Sequence, residues 1–204
     1  MELTVRHIQK SYRHTEVLKD ISFSAKSGEC IGFIGDNGCG KTTMLSILVG
    51  VENADAGKVM VDGKGTRGKL SSLVKVGYVP QINPLPDNLK VRECLKLWCD
   101  SRQTYDYIVK RYDLEDIDGK KISKLSGGMK RRVAVACAMA SDPDILVMDE
   151  PTAALDVKYK ALIHDDMKAF TKNGGLLIIV THEREEMDMC NRCYRIIGGI
   201  NEEV

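Results

Sequence analysis

"GDNGCGKTT", Gly35–Thr43, places three glycines, one lysine and two threonines within nine residues. It follows "ECIGFIG", a nearly unbroken apolar run that stops at glycine, as a strand buried on both faces does. The stretch after it, Lys41 to Val49, reads as a helix. The spacing fits G-x-x-x-x-G-K-[ST] at Gly35, Gly40, Lys41 and Thr42, in the strand–loop–helix setting that pattern requires. Without side chains at Gly35, Gly38 and Gly40, the backbone can curl until its N–H groups converge. Asp36, Asn37 and Cys39 fill the positions between them. Converging amides at the positive end of a helix make a cradle for phosphate oxygens. Lys41 adds a charge near the outer phosphates. Thr42 offers a hydroxyl to magnesium and Thr43 one to an inner phosphate. The stretch therefore reads as a holder of a nucleoside triphosphate.

Such a holder needs carboxylates. "ILVMDE" is an apolar strand ending in Asp149 and Glu150. Adjacent strand residues point to opposite faces. Asp149 is thus expected to face the magnesium shell and Glu150 an attacking water. In a doubly wound sheet the carboxyl ends of the strands line one crevice, which brings this pair beside Lys41.

The remaining chain fits one such sheet. "LTVRHI" and "VLKDISFSA" alternate as strands do. Val59 to Val61 and Lys75 to Val79 read as short strands around a Gly-rich polar turn, and "GLLIIVTH" as a second buried strand. "YRIIGGI" reads as the last strand. Helices are expected over Val91 to Asp100, Tyr105 to Tyr112, Met129 to Ala140, Val157 to Thr171 and "REEMDMC". Strands alternating with helices imply a mainly parallel sheet with helices on both faces. Pro80 to Gly119 has no apolar strand and reads as an inserted helical lobe.

Composition narrows the class. The chain has 204 residues, a net charge of +1 and 29% charged residues, so no electrostatic bias toward nucleic acid is visible. No apolar run approaches the length of a membrane span, and the first residues lack the apolar core of a secretory signal. Seven cysteines without a framework of spacings fit a reducing compartment. "CNRC", Cys190 to Cys193, reads as two packed thiols at a helix-to-strand junction. "KRR", Lys130 to Arg132, reads as the charged first turn of an exposed helix.

The motifs together resemble the ATP-binding cassette (ABC) ATPases. "LSGGM", Leu125 to Met129, is similar to that family's LSGGQ signature and precedes "DILVMDEPTAALD" in the family's order. "YVPQ" resembles the Q-loop, giving Gln81, and "AALD" the D-loop, giving Asp156. "VTHE" resembles the switch segment, giving His182, and Tyr12 lies where the family carries an aromatic that stacks on adenine. The resemblance runs from Leu3 to about Ile200. It implies a P-loop NTPase fold: α/β with a mainly parallel sheet, an N-terminal antiparallel β subdomain, and a helical subdomain inserted about 81–140. The whole chain, 1–204, is expected to be one ATPase domain.

The resemblance also implies a mechanism. ATP would be bound by Tyr12, the glycine loop and Gln81, with Mg2+ held by Thr42, Gln81 and Asp149. Glu150, His182 and Lys41 would carry the chemistry. Ser126, Gly127, Gly128 and Asp156 would meet the nucleotide of a second ATPase subunit in a head-to-tail pair. Hydrolysis would drive a membrane-spanning permease on a separate chain, with export favoured by "GGMKRR" and "LKVREC". No nucleic-acid partner is expected. The protein would be cytoplasmic, on the inner face of the membrane through its permease. With the chain ending soon after its last strand, no added regulatory domain is expected. A non-transport ABC ATPase and a poorly hydrolysing regulatory subunit are the alternatives. Met129 departs from the family's glutamine. Cys39 stands where alanine is common and is expected to react with maleimide more slowly when ATP is bound.

Overall fold

The computed structural model describes residues 1–66 and 70–204. Of the Gly-rich turn after Val61, residues 67–69 therefore lie outside the described residues.

Two long strands, β1 (Glu2–Tyr12) and β2 (Thr15–Lys26), form an antiparallel hairpin. The register slips between Val5 and Ile8, and His7 takes a φ of 52°. That bulge shifts the alternation, so Leu3, Val5 and Ile8 all face the core. β4 (Ala56–Val61) extends the hairpin beside β1, and β5 (Lys64–Thr66) pairs with β4.

β3 (Cys30–Ile34), β6 (Val76–Val79), β7 (Ile145–Asp149), β8 (Leu176–Val180) and β9 (Arg192–Ile197) run parallel. β10 (Ile200–Glu203) turns back on β9 and touches β2 through Ile200 and Asp20. The single sheet has the order β5-β4-β1-β2-β10-β9-β3-β8-β7-β6. The expected last strand, "YRIIGGI", is therefore two strands. Gly198 and Gly199, at φ of 56° and 87°, make the turn between them.

The helices are α1 (Lys41–Val49), α2 (Val91–Lys96), α3 (Arg102–Arg111), α4 (Gly127–Ala140), α5 (Val157–Lys172) and α6 (Arg184–Asp188). α1 ends where Gly50 enters the left-handed region at φ 82°. Capping oxygens open three of the others. Ser101 accepts from Thr104 N, Ser126 from Met129 N and Asp156 from Tyr159 N. α2, α3 and α4 lie between β6 and β7, as the helical insertion requires.

The sheet separates two cores. β7 sends Leu146 and Met148 into one, with Val91, Leu95, Tyr112 and Val133 of the helical segment. It sends Ile145 and Val147 into the other, with Leu3, Phe23, Met44 and Leu48. Every residue of β7 and β8 is buried, which accounts for their unbroken apolar sequences. Cys190 and Cys193 pack where α6 meets β9, and Cys30 Sγ lies 3.5 Å from Cys190 Sγ. One expectation is overturned. In "KRR", Arg131 and Arg132 are only 8% and 5% exposed, so these two arginines of α4 are not a solvated run. Lys130 alone reaches outward, to Asp87 at 3.0 Å.

Candidate functional site

The glycine loop leaves β3 and enters α1 through three positive-φ glycines, Gly35, Gly38 and Gly40, of which the first and last also lack room for a side chain. Gly40 caps the helix at φ 107°, and a Cβ there would stand 2.6 Å from Leu18 Cδ2. Gly35 has φ 148°, and a Cβ there would meet Ile196 O at 2.7 Å. The loop is thus wedged between β2 and β9, and its glycines serve both conformation and close approach. Lys41 is 7% exposed and curls back over the loop, its Nζ donating to Gly35 O at 2.6 Å and Asp36 O at 3.0 Å. These carbonyls hold the ammonium at the centre of the loop.

Asp149 closes the other wall. The Thr42 hydroxyl donates to Asp149 Oδ2 at 2.6 Å, although the residues are far apart in sequence. Burial raises the Asp149 carboxyl above the usual carboxylate range. The Thr42 hydrogen bond works against that, and so do the charges of Arg131 and Lys41.

Glu150 is aimed by a different device from the one its sequence suggests. It lies past the end of β7 with φ 50°, so strand alternation does not set its direction. Its N–H donates to Val180 O at 2.8 Å, and its carbonyl accepts from Ala153 N at 3.2 Å. A left-handed non-glycine residue in a tight turn carries strain that the surroundings must offset. His182, just beyond β8, places Nε2 3.8 Å from Glu150 Oε1.

A cleft of about 380 Å³ joins these groups. Asn37, Gly38, Gly40, Lys41, Thr42, Thr43, Gln81, Asp149 and Glu150 line it, with Val17 of β2. A second recess of about 420 Å³ takes Gly35, Asp36 and His182, beside Arg195. The Cys39 thiol is half-buried and packs 2.8 Å from where a Gly35 Cβ would lie. Tyr12 does not line the cleft. Its hydroxyl donates to Glu52, and Lys10 Nζ stands 5.3 Å from its ring centre.

Ser126, Gly127, Gly128 and Asp156 stand apart from Lys41. Ser126, Gly127 and Asp156 are exposed. Gly128 packs against the segment before Asp156, where an added Cβ would lie 3.2 Å from Ala154 O. The two segments thus form one exposed edge.

Three features escaped the sequence. Val17 reads as an ordinary strand residue, and only the approach of β2 to Gly40 brings it to the cleft. Thr152, fully buried, donates to Glu186 Oε1 at 2.6 Å, tying the Glu150 turn to the helix after His182. Arg131 lies against the same turn. A small cavity of about 70 Å³ lies between Glu150, Thr152, His182 and Glu186.

Residues 18–153 match the family described as ABC transporter. The Nod factor export ATP-binding protein I of Burkholderia orbicola (strain AU 1054) is 36% identical, over 95% of this chain and 67% of that protein. Its counterpart in Rhizobium sp. (strain N33) is 36% identical, over 91% of this chain and 64% of that protein. The chain thus spans about two thirds of the length of these curated relatives. A dimeric ATP-binding cassette in a post-hydrolysis state, bound to ADP and Pi, superposes with a TM-score of 0.90. It is 27% identical, with 99% of this chain and 97% of that one covered. A glycine loop facing a buried aspartate, on a sheet shared with these cassettes, is accounted for by common descent: the chain belongs to the ABC transporter family.

Proposed function

We propose that the protein is the ATP-hydrolysing subunit of an ABC exporter, working as a pair of ATPase subunits on a separate membrane permease. One observation carries the reading: Thr42 and Asp149 are already joined at 2.6 Å beneath the glycine loop, with Glu150 and His182 beside them. Thr42 and Asp149 with the Gln81 amide form an all-oxygen donor set, which suits Mg2+. When bound, that ion neutralises charge on the phosphates.

The chain's own groups then have distinct tasks. Loop amides and the start of α1 hold the phosphates. Lys41, swinging from the Gly35 and Asp36 carbonyls, meets the terminal phosphate. Glu150 orients the attacking water and takes its proton. His182 contacts the terminal phosphate from the other side, and Val17 bounds the adenine region within the cleft, with Tyr12 stacking on the part of the base that projects beyond it. Ser126, Gly127 and Gly128 cap the nucleotide held by a second subunit, with Asp156 at the same contact. Splitting the bond removes the phosphate that bridges the halves, so the pair opens.

The chain carries a surface that suits such a partner. A groove of about 750 Å³ runs from Gln81 to the helical segment, with Ile82, Leu97 and Trp98 at 82%, 70% and 50% exposure. Apolar side chains left this open mark an interaction surface. Export is supported by the names of the relatives. No helix among the described residues is long and apolar enough to cross a membrane. In this reading the permease supplies the span, and the protein sits on the cytoplasmic face.

Steady-state hydrolysis of ATP with Mg2+ tests the pair. Specific activity is expected to rise with protein concentration and saturate as pairs form. Concentration-independent hydrolysis that is insensitive to Ser126→Ala would reject the paired site. A protein that binds ATP without hydrolysing it, alone or with the permease, would favour the regulatory alternative.

A further inference from the structure

The turn that carries Glu150 is gripped by a group with no part in the chemistry above. Arg131, on α4, sends its side chain to the carboxyl ends of β6 and β7. Its Nε donates to Pro151 O at 3.1 Å, Nη1 to Pro80 O, and Nη2 to Asp149 O and Glu150 O. All these partners are backbone carbonyls. A buried guanidinium is costly unless its donors are used. Here they are spent on two separate chain segments.

Those segments matter. Pro80 precedes Gln81, which lines both the nucleotide cleft and the apolar groove. Asp149 to Pro151 is the left-handed turn that aims Glu150. One rigid, planar group therefore fixes the distance between the groove wall and the backbone of Glu150. Lysine cannot reproduce this, because its donors radiate from a single atom.

We propose that Arg131 is a positioning residue: it sets the Glu150 turn and couples that turn to the Gln81 segment of the groove. The inference rests on Glu150 being the group that orients water. Trp98, the chain's single tryptophan, sits in the groove and reports on it without labelling.

Arg131→Lys and Arg131→Met are compared with wild type and Glu150→Gln, using ATP with Mg2+. In both Arg131 variants kcat is expected to fall about 10²-fold, the scale of a small misplacement of a catalytic group. ATP affinity is expected to stay within about threefold, a change of under 1 kcal/mol. Wild type is expected to shift its Trp98 emission on ATP addition, and Arg131→Lys to lose that shift. A kcat near wild type in Arg131→Lys would overturn the proposal. So would equal Trp98 responses in the two proteins, including none in either. A parallel fall of kcat, ATP affinity and thermal midpoint would reduce Arg131 to a structural role and equally overturn it. Glu150→Gln separates the layers. If it is inactive while Arg131→Lys is normal, only the positioning role fails. If it hydrolyses ATP normally, the reading of Glu150 fails and takes this inference with it.

Discussion

The chain builds two glycine-bearing helix starts, and they differ in almost every physical respect. The first, Gly35 to Gly40 before α1, is wedged between β2 and β9, with a buried lysine and a buried aspartate at its walls. The second, Ser126 to Gly128 at the start of α4, lies on an exposed edge; a Cβ on Gly127 would meet nothing within 4 Å. The first is completed by its own chain. The second leaves Ser126 and Gly127 on an open face. Gly35 and Gly40 therefore serve conformation and close approach, whereas Gly127 leaves its side of the helix start open.

The largest effect expected is at the wall of the first. Glu150→Gln keeps the size and polarity of the side chain but removes its basicity. Turnover should fall about 10²–10⁴-fold, while ATP still binds and size-exclusion chromatography shows a trapped pair. Normal turnover would erase the distinction between a catalytic first region and an accessory second one.

Gly127→Asp attacks the second region with a charge that has room to fit. It should lower turnover by about 10²-fold and leave ATP binding by the single chain unchanged. Mixing Gly127→Asp with Lys41→Ala chains should restore activity, because one of the two shared sites is then intact. No rescue would mean that the regions do not meet across chains.

A smaller and purely structural contrast comes from alanine. Gly40→Ala forces a Cβ against Leu18 at a φ of 107° and should cost about 2–3 kcal/mol of stability. Gly127→Ala should stay within about 0.5 kcal/mol. Urea unfolding measures both, and equal costs would break the comparison.

The smallest effects are read by thiol labelling around the first region. Maleimide reaction at Cys39 should slow when ATP is bound. Burial, aided by neighbouring Cys190, pushes the Cys193 thiol up to about 11. Its neutral form is favoured by the fold, so this contribution to stability weakens as pH rises from the ordinary thiol range toward that value. Alkylation of Cys193 should accordingly stay slow near pH 8 and accelerate toward pH 11. Fast labelling at pH 8 would show that the strand beneath the loop is loosely packed.

How much of this could be read in advance depended on range. The glycine loop, the buried strands and the helix after Gly40 are written in adjacent residues, and each forms close to where the pattern puts it. Asp149 meets Thr42 because parallel strands end together, which topology supplies once the strands are recognised. Strand alternation implies that Glu150 faces away from Asp149, but Glu150 lies past the end of β7 and a left-handed turn aims it. Arg131 was unreadable. Arginine beside Lys130 and Arg132 looks like a solvated run, and its carbonyl partners at Pro80 and Asp149 to Pro151 are brought to it only by the finished fold. The Gly198–Gly199 turn was available as a paired-glycine signal, but the apolar residues on either side disguised it.

The position of β3 in the sheet has a consequence for how the molecule is made. β3 spans Cys30–Ile34, and its two neighbours are β8 at Leu176–Val180 and β9 at Arg192–Ile197. A ribosome releases the first long before either of the others. During synthesis an aggregation-prone apolar segment must therefore wait unpaired, and such distant pairing folds slowly. Nascent chains arrested before residue 176 should recruit chaperones and fail to retain ATP, although every residue of the glycine loop has already emerged.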